Sequence, residues 1–442
     1  MFYIVESESQ LERLQSLGSF GAYIEVITTH DYFHPILTSI VAVYIHPLTG
    51  QDGFIIPVSH NEGLNVGKSR VYAILKSYST LYTLNRKDLL YHFNLQGVID
   101  ISLLYSMVYF DKLEISTKVN TINWFYSKYK DSTNVNRIIP LVKLFERSHE
   151  NFLQIKPLIE LPLPKGFDFY NKTATNVFYL IEQHGLGLNL EMFKEVYTPA
   201  NIQYSVKDDR IYSSYHLYNT TSRPTNSFNS INFSAIPKDE KHRECFRPQN
   251  NKFVELDFDG YHVRLLSNLI EYPLTGEKAH LQLAKMYYSK EEITEQEYNQ
   301  AKQVNFQAIY GRIPPQYAKL EFFTKTQRYI DNLWKDFEKN GEIHAPISGK
   351  PFTDQLSDMN PQKLMNYTIQ SVETARNVLI LKEILRYLKD RKSKIALYIY
   401  DSIILDYSEE DGEGILEDIE GILNEGGKYP VRMKTSNSLV LN

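Results

Sequence analysis

The sequence of 442 residues holds a single cysteine, Cys245, so no intrachain disulfide can form. A reducing, intracellular setting, the cytoplasm, is the expectation. No stretch approaches the roughly 20 apolar residues that a membrane helix needs. Met1 to Gln10 are acidic and polar and lack the basic-then-apolar order of a signal peptide. Positive charge is not in excess: the formal net charge is -5. That excludes a globally basic nucleic-acid binder but leaves room for one basic cleft on an otherwise acidic surface. Internal repeats and low-complexity tracts are also lacking.

What is present reads as an α+β chain of two or three domains. Residues 21–27, 40–46 and 53–58 are β-rich, and 86–93 and 101–110 are helix-like. Residues 156–165 carry three prolines and read as a linker. A helix is expected over 173–184 and strands over 211–218 and 252–259. Helices then follow over 260–271, 294–310 and 360–390, the last with Pro361 in its first turn. A hairpin over 394–407 has Asp401 at its tip, an acidic helix spans 409–425, and a short strand closes the chain.

Two acids stand out. Asp257 lies in VELDFDGYHVRLL, where a strand turns into a helix, and Asp401 lies in ALYIYDSIILDY, between apolar strands. An acid in apolar surroundings is costly unless paired or metal-bound. Phosphoryl transfer from a nucleoside triphosphate uses two divalent ions about 3.5–4 Å apart, held by hard oxygen ligands. An aspartate at a strand end is equally a turn former or helix cap. Lys302, Phe306 and Tyr310 are spaced by four and share one helix face. The face suits a triphosphate, a sugar and a base, or a core aromatic stripe. Asn366 and Gln370, also four apart, suit minor-groove acceptors or helix bridging. Arg223 and Arg243, taken alone, fit an ordinary surface. His30 and His34, in THDYFH, read as residues of an exposed loop rather than a metal pair.

Taken in order, these segments resemble the family A DNA polymerases, the group of the Klenow fragment. LDFDGYHVRLLS is similar to the first catalytic motif, with Asp257 on its metal ligand and Arg264 on its terminal arginine. AKQVNFQAIYG is similar to the fingers helix, through Lys302, Phe306, Tyr310 and Gly311, and YIYDSIIL to the catalytic hairpin, through Asp401. SSYHLYNTTSRPTNSFNSINFSAIP resembles the segment that sets an arginine, here Arg223, in the primer-template minor groove. RECFRP brings Arg243 and KAHLQLA brings His280 to triphosphate positions, and NYTIQSVETA brings Asn366 and Gln370 to base-pair reading. The resemblance covers 211 to the C-terminus. It implies a right-hand palm and fingers over 211–442, with fingers near 285–350. It also implies Asp257, Asp401 and Lys302 as catalytic residues. Two Mg²⁺, replaceable by Mn²⁺, would be held by the two acids and the backbone of Phe258. Primer extension would use a primer-template and dNTPs.

The pattern is broken in places. The sugar-gating glutamate of the family is His262, the fingers arginine is Tyr298, and Tyr400 and Ser402 replace the histidine and glutamate beside Asp401. Only 198–210 remains where the helical thumb belongs, inside a linker and truncated-thumb region at 156–210. A short thumb implies poor processivity, or a processivity factor or replisome protein that grips the DNA. Residues 1–155 resemble the proofreading exonuclease, an RNase H-like domain, in degenerate form. Glu25, Asp88 and Asp100 remain, but Tyr23 stands where an acid should be. The implied function is DNA synthesis without proofreading, in a compact, virus-encoded form. Ribonucleotide use, motivated by His262 and Ser402, and an inactive DNA-binding scaffold are the alternatives.

Overall fold

A computed structural model describes residues 2–18, 20–116, 120–197, 205–226, 231–274 and 278–441. The chain divides into two compact units, Met1–Phe167 with Ala200–Lys207, and Asp168–Pro199 with Asp208–Asn442.

The first unit is built on a mixed six-stranded sheet. Strands β1 (Phe2–Ile4), β2 (Gly21–Thr28), β3 (Ile40–Pro47), β4 (Gly53–Pro57), β5 (Thr80–Thr83) and β6 (Val98–Asp100) lie in the order β1-β4-β3-β2-β5-β6. The runs β3 and β4 are buried along their whole length, which is why they read as continuous apolar segments. Helices α1 (Glu8–Ser16), α2 (Lys68–Ser77), α3 (Arg86–Leu90), α4 (Ile101–Tyr109), α5 (Asn120–Lys128) and α6 (Leu141–Ile159) complete the unit. Leu11, Leu14, Val71 and Ile74 of α1 and α2 share one core with Ile24, Val43 and Phe54 of the sheet. The helix α6 runs through Pro157, so it takes the first residues of the segment expected as a linker. Pro157 stands near the helix end and forfeits only one backbone bond there. His30 and His34 are 2% and 4% exposed, against the expectation of an exposed loop. Their rings pack on Tyr126 and Tyr91, so aromatic contact has drawn them inside.

The second unit centres on an antiparallel sheet of β7 (Lys252–Phe258), β8 (Lys394–Ile399), β9 (Ser402–Tyr407) and β10 (Val431–Ser436), in the order β8-β9-β7-β10. The unit's helices include α7 (Thr175–Glu182), α8 (Glu240–Arg243), α9 (Tyr261–Leu269), α10 (Ala279–Tyr288), α11 (Glu295–Tyr310), α12 (Glu321–Asn340), α13 (Pro361–Tyr387) and α14 (Gly414–Asn424), of which α7 and α14 contact this sheet. Thr294 and Glu297 form a capping box that starts α11, and Asn360 with Pro361 starts α13. The helix expected over 173–184 opens instead with a wider turn at Phe169–Ala174. The strand expected over 211–218 is two short pieces, Arg210–Ile211 and Tyr215–His216. Of the segment 198–210, expected as a shortened thumb, residues 198–204 lie outside the described residues, and the described remainder holds no α-helix. No helix among the described residues is long and apolar enough to cross a membrane.

Candidate active site

Asp257 is the penultimate residue of β7 and pairs across to Ser402 on one side and Arg432 on the other. Asp401 occupies the tight turn between β8 and β9, where Tyr400 takes φ 56°. That left-handed turn brings the main chain of Asp401 back beside β7, and the amide of Phe258 donates to the carbonyl of Asp401 at 3.0 Å. Both acids therefore sit at one end of the same sheet. Burial, then the charges of Asp401 and Glu255, push the Asp257 carboxyl up to about 6. Burial and Glu373 likewise raise Asp401. Two desolvated carboxylates, each held more readily protonated than an ordinary aspartate, form a donor set a divalent cation would satisfy. Among the described residues, no group of three or more histidine, cysteine or acidic side chains comes together as a metal cage. The fit is thus to a cation that keeps water or substrate oxygens in its remaining positions. The amide of Phe258, whose backbone is the third expected ligand, is committed to Asp401.

The helix α11 turns Ala301, Asn305, Ala308 and Ile309 inward and leaves Lys302, Phe306 and Tyr310 exposed on the other face. The rings of Phe306 and Tyr310 stack with centroids 6.1 Å apart. His280 lies behind them, 4% exposed, with Nδ1 2.8 Å from the amide nitrogen of Asn305. Burial, then Lys302, lowers its pKa to about 4, so His280 is neutral near pH 7. Tyr298, one turn before Lys302, shares a hydrogen bond with Arg432. Arg432 also binds Asp259, whose other carboxylate oxygen accepts the amide of Ala279 at 3.0 Å. Arg264 is buried: Nε donates to the Asp259 carbonyl at 3.0 Å and Nη1 to Leu274 at 2.8 Å, so it ties α9 to its neighbours.

On α13, Asn366, Gln370 and Glu373 follow one another at spacings of four and three and so share a face. The Asn366 amide donates to the Tyr310 carbonyl at 3.2 Å, and Gln370 accepts from the Thr221 hydroxyl at 3.3 Å. Arg223 Nη2 donates to Glu373 at 3.1 Å, and its guanidinium lies 3.7 Å over the ring of Tyr400. His262 Nε2 is 3.1 Å from Glu373, and its Nδ1 meets the hydroxyl of Tyr310. Asp257, Asp401, Arg223, His262, Tyr310, Asn366 and Gln370 are thereby joined through shared neighbours. Arg243 stands apart, on α8, with its guanidinium donating to the carbonyls of Pro237 and Leu439. Sequence reasoning passed over Glu373 and Arg432. Alternation along β10 opposite Asp257 was the only signal for Arg432, and nothing local marked Glu373.

In the first unit, Glu25 and Asp88 line a cavity of about 400 Å³ together with Asp31, Arg147 and Asn151. Tyr23 is fully buried, and its hydroxyl donates to Glu25 at 3.1 Å. Arg147 reaches Asp31 at 2.5 Å and Glu25 at 3.8 Å, and Asn151 donates to Glu25 at 3.1 Å. Asn85 donates to Asp88 at 2.8 Å. Asp100, expected beside these acids, is a correction: it is buried and accepts the amides of Arg86 and Leu103, each at 2.9 Å. Its carboxylate starts α4 as a helix cap.

No family model matches the chain. It is 23% identical over 344 residues to the DNA polymerase I of Aquifex aeolicus (strain VF5), which takes in 70% of this chain and 57% of that protein. The chain thus spans little more than half the length of this relative. Among solved structures it is similar to the POL domain of Pol1 from M. smegmatis in complex with DNA primer-template and dNTP. The TM-score is 0.70 and the identity 16%, covering 100% of this chain and 99% of that one. The fold is that of a DNA polymerase I polymerase domain.

Proposed function

We propose that this chain, a family A DNA polymerase by its likeness in sequence and fold to DNA polymerase I, extends a primer on a DNA template with dNTPs. The observation that carries this reading is the pair Asp257 and Asp401, held at one sheet end by the Phe258–Asp401 bond. Mg²⁺ or Mn²⁺ ions held there by the two carboxylates and the Phe258 backbone would activate the primer hydroxyl and offset charge on the leaving pyrophosphate. Lys302, exposed on α11, is placed to neutralise the triphosphate and to hand a proton to pyrophosphate. Phe306 and Tyr310 offer the sugar and base an exposed aromatic surface. His280, being neutral, contributes a ring N–H rather than a charge. Tyr298 brings no charge of its own, and Arg432 beside it is the cation that takes over the triphosphate contact. Arg223, Asn366 and Gln370 face the primer-template minor groove in this reading.

Residues 1–155 serve as a degenerate exonuclease domain without proofreading. Tyr23 and Arg147 occupy the surroundings of Glu25 that two-metal hydrolysis would need open. The short segment 198–210 replaces a thumb, so grip on the duplex falls to a processivity factor or replisome partner. One second reading has an observation behind it: His262 in place of a gating acid favours ribonucleotide use. Primer extension by the purified chain, with dNTPs and rNTPs offered separately, tests both. Preference for dNTPs is the expected result, equal or better use of rNTPs would move the assignment to an RNA or primer-making enzyme, and no extension with retained DNA binding would leave a scaffold.

A further inference from the structure

Glu373 is 1% exposed, and a buried carboxylate is costly unless charged or hydrogen-bonding partners surround it. It has two. One carboxylate oxygen accepts from Arg223 Nη2 at 3.1 Å and lies 3.1 Å from His262 Nε2. The other lies 3.0 Å from Arg223 Nε, out of line for a hydrogen bond. Burial pushes the Glu373 carboxyl up, but His262 and Arg223 outweigh it and hold it below the usual carboxylate range. A carboxylate offers only lone pairs, so the hydrogen of His262 faces it from Nε2 and Nδ1 is left for the Tyr310 hydroxyl. A continuous polar chain, Arg223–Glu373–His262–Tyr310, therefore spans the Arg223 loop, α13, α9 and α11.

We propose that Glu373 is the positioning residue that sets sugar selectivity, by holding the His262 ring against Tyr310 as the wall that refuses a ribose 2′-OH. The inference rests on the nucleotide-polymerising reading of this site. Without its acceptor the imidazole can leave Tyr310, and the space beside the sugar opens. Arg223 loses its counter-charge in the same step, so a carboxylate is needed in this cluster and an amide is not an equivalent. The position of that carboxylate is less constrained. An acid on α9 at residue 262 would start from the place where the imidazole now touches both Glu373 and Tyr310.

The test is single-nucleotide incorporation by the full chain on a primer-template, with kcat and KM for dNTP and rNTP measured separately. Glu373→Gln is expected to lower the dNTP preference about tenfold, mainly through a lower KM for the ribonucleotide. His262→Ala should shift it in the same direction, and Glu373→Gln combined with His262→Ala should be no worse than either alone. The double variant Glu373→Ala, His262→Glu, which moves the acid to α9, should recover most of the preference. A purely structural ion pair would lower the melting temperature of Glu373→Gln and leave the preference unchanged, which overturns the proposal. If Glu373→Gln fails to fold, failure of the relocated acid to recover the preference overturns it instead. A wild-type chain inactive with both nucleotides would remove the polymerase reading itself. An active Glu373→Gln with unaltered preference removes only the role of Glu373.

Discussion

The amide of Phe258 donates to the carbonyl of Asp401 at 3.0 Å, so the ends of β7 and of the β8–β9 turn cannot part without breaking a main-chain bond. The two carboxylates inherit that constraint. Backbone pairing, with Asp257 opposite Ser402, fixes where the two side chains leave the main chain. A site for phosphoryl transfer needs such fixed geometry, because small displacements of the reacting groups cost large factors in rate.

Arg432 stands on the strand opposite Asp257 and touches Tyr298 and Asp259, with about half its side chain exposed. If it contacts the triphosphate, Arg432→Ala should raise the KM for dNTP by roughly 10–100-fold, the loss of one charge-assisted hydrogen bond. Arg432→Lys should recover part of this, since a lysine restores charge but not the forked geometry. Steady-state kinetics with a single dNTP reads both. An unchanged KM in Arg432→Ala removes the contact.

Tyr23 is fully buried, against Tyr44 and Phe152. Tyr23→Ala should destabilise the first unit by about 3–5 kcal/mol, as other large-to-small core changes do. Tyr23→Phe, which only deletes the hydrogen bond to Glu25, should cost about 1 kcal/mol. Denaturant melts measure both. Tyr23→Asp alone should not create 3′-end trimming of a labelled strand, because Arg147 still pairs with Glu25 and Asp31. Trimming by that single variant would show that Arg147 yields.

Lys350 is fully buried, donating to the Ser222 hydroxyl at 2.5 Å and the Asn219 carbonyl at 3.1 Å, and burial lowers its pKa from 10.5 to about 7. The unfolded chain binds this proton up to pH 10.5, while the folded chain gives it up above about pH 7. Between these values the unfolded state holds more protons, so stability should rise with pH, by at most about 1.4 kcal/mol per pH unit. Lys350→Met should flatten the rise in chemical melts between pH 7 and 10. An equally steep rise in that variant would assign it to other groups.

Much of the site was legible because it follows local periodicity. Asp257 and Asp401 show as acids among alternating apolar strand residues. Lys302, Phe306 and Tyr310 show through helical spacing, and the structure leaves all three exposed on one face of α11. Asp100 misled because an acid at a strand end looks the same whether it binds a metal or caps a helix, and two main-chain amides decide for the cap. The buried histidines misled because Tyr126 and Tyr91, which enclose them, are distant in sequence. Glu373 was invisible for a related reason. On a long helix it reads as one more surface acid, and only the tertiary approach of Arg223 and His262 gives it a role.

The most direct measurement is primer extension with dNTPs and Mg²⁺ by wild type, Asp257→Ala and Asp401→Ala, with primer-template binding measured in parallel. The expected result is extension by the wild type, loss of at least about a thousandfold in each variant, and nearly unchanged binding. Near-normal synthesis by either variant would contradict the assignment of the acid pair.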